Sequence, residues 1–309
     1  MSLFSIIIII VGLCLFEIIS SIDNAIINAE VLSTMGAKAR RWFLLYGIII
    51  AVFVIRGLLP WLIVWLATPG LGPIEALTAT FSSDPRVIEA VEKSSPMLLI
   101  GGGVFLIFLF FHWLFLESKN FGLRGEKFFY KNGVWFYSVI SIILAAVVWL
   151  ALGKDPLMAF GAVVGSTAFF ITHGFKQNAE QREKDLSDNK KNLSDLSKIF
   201  YLEVIDATFS IDGVLGAFAF TLSVPLILIG NGIGAIVVRQ LTMGNIERIK
   251  KYAYLKNGAM YSILFLGVIM LLDSFGFHIP SWLSPVVTFA VVIYFFQKSR
   301  LENKEKLSS

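Results

Sequence analysis

The chain has 309 residues, 56% hydrophobic, 14% aromatic and only 16% charged, against the roughly 25% charged of a soluble domain. One soluble core cannot bury that much apolar surface, so lipid must solvate the excess. That excludes a soluble enzyme, a secreted disulfide scaffold and a disordered adaptor. The lone cysteine, Cys14, permits neither an intrachain disulfide nor a thiolate metal cage. The net charge of +4 reads as membrane topology, with no nucleic-acid partner implied.

About 20 largely apolar residues cross the hydrocarbon as a helix. Nine stretches qualify, at 3–31, 42–67, 96–116, 134–152, 156–174, 199–221, 223–242, 257–273 and 280–297. The expected fold is therefore an all-α polytopic membrane protein of about nine spans. The loops after the first, third, fifth and seventh spans, with the tail, hold 21 of the 26 Lys and Arg. This predicts an N-terminus outside and a C-terminus in the cytoplasm of a plasma membrane, with a bacterial cell fitting best. The apolar start lacks a basic n-region and a cleavage site, so it reads as a retained first span. Residues 175–198 read as a cytoplasmic, solvated helical linker rather than a metal-sensing site. They divide a first half, 1–174, from a second half, 199–297, followed by a tail, 298–309.

An internal match relates the halves. Glu17-Ile-Ile-Ser-Ser21-Ile22-Asp23-Asn24 reads against Asp206-Ala-Thr-Phe-Ser210-Ile211-Asp212-Gly213, with an acid, three residues, then Ser-Ile-Asp. Val54-Ile55-Arg56 matches Val237-Val238-Arg239, and Leu116-Glu117-Ser118 matches Leu272-Asp273-Ser274. Three matches in register argue for duplication. Five spans precede the sixth, so spans one and six cross in opposite directions. Spans 1–3 and 6–8 then form an inverted-topology repeat, with a binding site expected at its midplane.

An acid at a helix centre costs at least ~2.5 kcal/mol on the insertion scale. Five fall within spans, namely Glu17, Asp23, Glu203, Asp206 and Asp212. Glu17, Ser21, Asn24 and Asn28 make one polar stripe, and Glu203, Asp206 and Ser210 another. On an ideal helix the second acid of each motif points about 120° away from the first. Unwinding at Asn24 and Gly213 would bring both acids to one cavity, as in broken transporter helices. Five carboxylates against Arg56 and Arg239 leave three negative charges, which a divalent cation would largely neutralise. The candidate ligands are Glu17, Ser21, Asp23, Asn24, Glu203, Asp206, Ser210 and Asp212. An all-oxygen set suits Mn²⁺, Ca²⁺ or Mg²⁺. The bland reading is that the acids only pair with the two arginines to staple helices together.

The remaining signals are weaker. His112, His173 and His278 read as hydrogen-bonded interface histidines before a soft-metal site. Gly101-Gly102-Gly103 and Gly230, Gly232 and Gly234 read as close helix packing. Without Walker-A chemistry, ATP is not a visible energy source. Asn231 stays open between a further ligand and an interhelical hydrogen bond.

At the paired motifs the sequence resembles the TerC family of integral membrane proteins, named for tellurium resistance, as a divergent branch. The resemblance rests on Glu17 through Asn24, Glu203-Val-Ile-Asp206 through Asp212-Gly213, Arg56, Arg239 and Tyr254-Leu255-Lys256-Asn257-Gly258. It implies efflux of Mn²⁺ or a similar divalent ion by secondary transport, with no tightly bound cofactor. Arg56 and Arg239 would then couple charge to conformational change. An intramembrane aspartyl protease using Asp23 and Asp212 and a non-transporting assembly factor are the competing readings. The oligomeric state is left open.

Overall fold

A computed structural model describes residues 2–47, 49–79, 82, 84–119, 122–123, 125–189, 194–244 and 252–308. No strand occurs among them; they are predominantly helical. The first half comprises α1 (Leu3–Ser20), α2 (Ile22–Ser33), α3 (Ala37–Trp42), π-helical stretches at Phe43–Gly47 and Ile50–Leu58, and α4 (Leu59–Ala67). It continues with α5 (Pro73–Thr78), α6 (Pro85–Leu116), α7 (Glu126–Lys131), α8 (Phe136–Leu152) and α9 (Pro156–Asn189). The second half comprises α10 (Asp195–Ala217), α11 (Val224–Gly244), α12 (Leu255–Ser274) and α13 (Leu283–Ser308).

Every predicted span overlaps helix, and among the described residues six helical segments are long and apolar enough to cross a membrane. The other three stretches miss for identifiable reasons. The second is interrupted by its π-helical turns, leaving Arg56–Ala67 as a shorter apolar helix. The sixth, α10, carries Glu203, Asp206 and Asp212, and α13 ends in a charged run. Helix α9 runs without a break through 175 to Asn189, so the first part of the predicted linker is helical.

Helix α6 is the mast. Pro85 opens it with no amide to satisfy, and the Asp84 carboxylate accepts from the Arg86 amide at 2.9 Å. Its 32 residues span about 48 Å at 1.5 Å per residue. Ile100, Val104, Phe105, Leu106 and Phe108 on it are fully buried. Phe105 and Phe108 meet Phe169 of α9 edge-on at 6.0 and 5.7 Å. By contrast α8 presents Ile142, Trp149 and Leu150 outward, as a helix bathed in lipid should.

Glycines set the helix crossings. On α6, Gly101 meets the Gly161 carbonyl of α9, and Gly103 meets the Gly267 carbonyl of α12. The register shows α6 parallel to α9 and antiparallel to α12. Likewise Gly230 and Gly234 of α11 meet Leu13 and Glu17, so α11 runs parallel to α1. Gly213 and Gly216 of α10 meet Glu17 and Phe16, so α10 runs antiparallel to α1.

A β-carbon on Gly165 would collide with the Gly101 backbone, whereas one on Gly174 of the same helix meets nothing within 4 Å. Gly165→Ala should therefore destabilise by about 1–3 kcal/mol or more. Gly174→Ala should be neutral or gain up to about 1 kcal/mol. Thermal unfolding of the detergent-solubilised variants checks the contrast, and equal behaviour would contradict the packing.

Candidate cation site

The site is built where the first span breaks. Helix α1 stops at Ser20, Ser21 adopts a turn conformation, and α2 restarts at Ile22. Hydroxyls bonding locally explain the break. Ser20 Oγ donates to the Glu17 carbonyl at 3.3 Å, and Ser21 Oγ donates to Glu17 Oε1 at 2.7 Å. The expected break at Asn24 is thus displaced to Ser21, and that at Gly213 is absent, since α10 is continuous from Asp195 to Ala217.

Glu17 and Arg56 form the centre. Arg56 Nε and Nη2 both donate to Glu17 Oε1, at 3.0 and 2.6 Å. The two residues are 1% and 2% exposed, so the pair is held in a medium that strengthens it and penalises its loss. Arg56 comes from the π-helical stretch Ile50–Leu58, a wide turn of the kind that recurs at functional sites. Asn24 Nδ2 donates to Asp206 Oδ1 at 2.5 Å, tying α2 to α10. Asp206 Oδ2 lies 3.9 Å from Arg56 Nη1 and 3.9 Å from Arg239 Nη2. Arg239 Nη1 donates to the Phe43 carbonyl at 3.0 Å, and its guanidinium faces the Phe43 ring at 4.3 Å. Glycines clear the space. A β-carbon on Gly213 would stand 2.9 Å from Glu17 Oε2, and one on Gly47 would stand 2.9 Å from Arg239 Nη1 and closer still to Glu203 Oε1.

Several buried oxygens here accept no hydrogen bond among the described residues: Glu17 Oε2, Asn24 Oδ1, Asn28 Oδ1 and both Glu203 oxygens. Ser210 is buried, its hydroxyl donating to the Asp206 carbonyl at 2.5 Å. The Asp23 side chain lies outside the described residues. Asp212 does not join the cluster: among the described residues it forms no ion pair with Arg56 or Arg239, whose carboxylate partners are Glu17 and Asp206. The cause is geometric. On an unbroken helix the sixth residue after Asp206 faces about 120° away, and α10 does not break.

The charge count changes accordingly. Three described carboxylates, Glu17, Asp206 and Glu203, gather around two guanidinium groups and leave one negative charge. No group of three His, Cys, Asp or Glu side chains able to hold a metal occurs among the described residues. The arrangement is an arginine-compensated carboxylate cluster.

A second polar cluster was only half visible in the sequence. Lys256 Nζ meets Glu117 Oε2 at 2.5 Å, joining α12 to the end of α6. Asn257 Nδ2 donates to both oxygens of buried Glu126 on α7, at 3.1 and 2.8 Å. The Tyr254-Leu-Lys-Asn-Gly258 segment is thus a fastening. Glu126 gave no signal, being one acid in a basic loop. Beside this cluster, burial pushes the Lys119 ammonium down to about 8. His112 and His173 meet ring to ring at 3.8 Å among Phe136 and Phe169.

A family model described as "Protein of unknown function (DUF475)" matches residues 22–306. The UPF0053 inner membrane protein YoaE of Escherichia coli (strain K12) is 21% identical over 170 residues, 55% of this chain and 32% of that protein. The chloroplastic thylakoid membrane protein TERC of Arabidopsis thaliana is 26% identical over 182 residues, 49% of this chain and 47% of that protein. The chain thus spans between a third and a half of the relatives it matches. No solved structure matches it at a significant level. The chain belongs to the DUF475 family, a TerC-related family of membrane proteins.

Removing one member of a buried ion pair costs about 3–5 kcal/mol, because its partner is left charged and unpaired. Arg56→Met should lose that much stability, and the double variant Glu17→Gln/Arg56→Met should recover most of it. Thermal melts of the purified variants decide. A double variant as unstable as the single would mean the pair does not hold this junction.

Proposed function

We propose that this membrane protein is a secondary transporter of divalent cations, with Mn²⁺ the favoured substrate, exported through the junction of α1, α2, α10 and α11. The observation that carries the reading is the set of buried oxygens with no donor among the described residues, from Glu17, Asn24, Asn28 and Glu203. A buried acceptor left unmade costs about 1–3 kcal/mol. Helix stapling alone would call for donors, and a hard cation satisfies such oxygens directly. The charge deficit is too small to carry the argument by itself. The antiparallel passage of α1 and α10, each with its acid and each beside an arginine, supports the inverted-repeat reading.

In this reading Glu17, Asp206, Asn24 and Glu203 are the principal ligands, with Ser21 and Ser210 as secondary oxygens. Arg56 and Arg239 compete with the ion. When it binds Glu17, Arg56 must release Oε1, and when it leaves, Arg56 returns. A ligand shifts a conformational equilibrium only through such differential contact. The basic loops support a cytoplasmic α9–α10 linker and C-terminus in a bacterial plasma membrane.

Thermal stability of the detergent-purified protein, titrated with MnCl₂, CaCl₂, MgCl₂ and ZnCl₂, tests the site. A saturable rise with Mn²⁺ is expected, absent in Glu17→Gln and Asp206→Asn. A rise that survives in both variants would place the ion elsewhere.

A further inference from the structure

Asn231 of α11 is fully buried, and neither its amide oxygen nor its amide nitrogen has a hydrogen-bond partner among the described residues. Of the two sequence readings, the interhelical hydrogen bond therefore has no partner there. A role in packing alone is served better by leucine, which has nearly the same shape and no polar group to desolvate.

The surroundings say what the amide is for. A β-carbon on Gly234 would come 2.6 Å from Glu17 Cβ, and one on Gly230 would come 2.5 Å from Leu13 Cβ. With α1 and α11 parallel, this register sets Asn231 level with Cys14, one helical turn from Glu17. Asn231 and Gly234, three residues apart, share a face of α11. Glu17 Oε2 is the carboxylate oxygen that Arg56 and Ser21 leave unbonded. Two buried polar groups without partners thus stand one turn apart on adjoining helices.

We propose that Asn231 Oδ1 is a ligand of the cation that Glu17 Oε2 binds, approaching from the N-terminal half of α11. This deepens the cation-site reading and rests on it. An amide oxygen raises the coordination number without adding charge. That suits a site already balancing three carboxylates against two guanidinium groups. Hard cations that take six or more oxygens, such as Mn²⁺, Ca²⁺ and Mg²⁺, gain most from it.

The test uses the full-length protein in detergent, melted against MnCl₂, with Asn231→Leu, Asn231→Ala and Glu17→Gln alongside wild type. Without added ion, Asn231→Leu should melt at or above wild type, since it removes an unpartnered buried amide. Its half-saturating Mn²⁺ concentration should rise about tenfold or more, as for lost groups around other metal centres. Asn231→Ala carries the same comparison of Mn²⁺ response should the leucine variant not fold. Variants that respond to Mn²⁺ like wild type, while Glu17→Gln does not, would overturn this assignment alone. A wild type that no divalent ion stabilises would overturn it together with the site reading.

Discussion

The structure depends on keeping ionised groups together inside the hydrocarbon. Each of Glu17, Asp206, Arg56 and Arg239 costs several kcal/mol to insert alone, and any one left unpaired would dominate the stability of the bundle. Local features of several helical segments answer to that constraint. The turn at Ser21 sets Ser21 beside Glu17 and Asn24 beside Asp206. The π-helical stretch carries Arg56 to Glu17. Gly47, Gly213 and Gly234, from three different helical segments, lack the β-carbons that would strike the charged side chains.

Two parts of the molecule are built differently around this centre. The mast α6 meets α9 and α12 through glycine-to-carbonyl approaches, and its far end is fastened by Lys256–Glu117 and Asn257–Glu126. Those contacts are close and mutually satisfied. The junction of α1, α2, α10 and α11 holds broken backbone, long charge separations near 3.9 Å and acceptors without donors. Functional sites concentrate such local departures from satisfied packing, and scaffolds do not.

The fold class was legible from composition alone, because too few charges for a soluble surface leave only lipid as the solvent. The meeting of the polar stripes of α1–α2 and α10 was legible from spacing. Glu17, Ser21 and Asn24 recur at helical intervals, and their counterparts on α10 do the same. What sequence could not supply was the continuity of each helix. Asn24 and Gly213 looked like breaking points, yet serine hydroxyls broke the first helix at Ser21 and α10 did not break. Asp212 therefore stays out of the cluster, and the charge deficit shrinks with it. Span number was also harder to read than span position. Acids in α10, π turns before α4 and the charged end of α13 keep three helical stretches below the usual apolar length. Asn231 was visible as a residue, but its lack of a partner is a property of packing.

The most direct test of the account is Mn²⁺ flux through the purified protein in liposomes, comparing wild type with Glu17→Gln reconstituted to the same density. The account predicts saturable flux in wild type and none above empty liposomes in the variant. Undiminished flux in Glu17→Gln would contradict it, because Glu17 is the carboxylate at the centre of the proposed site.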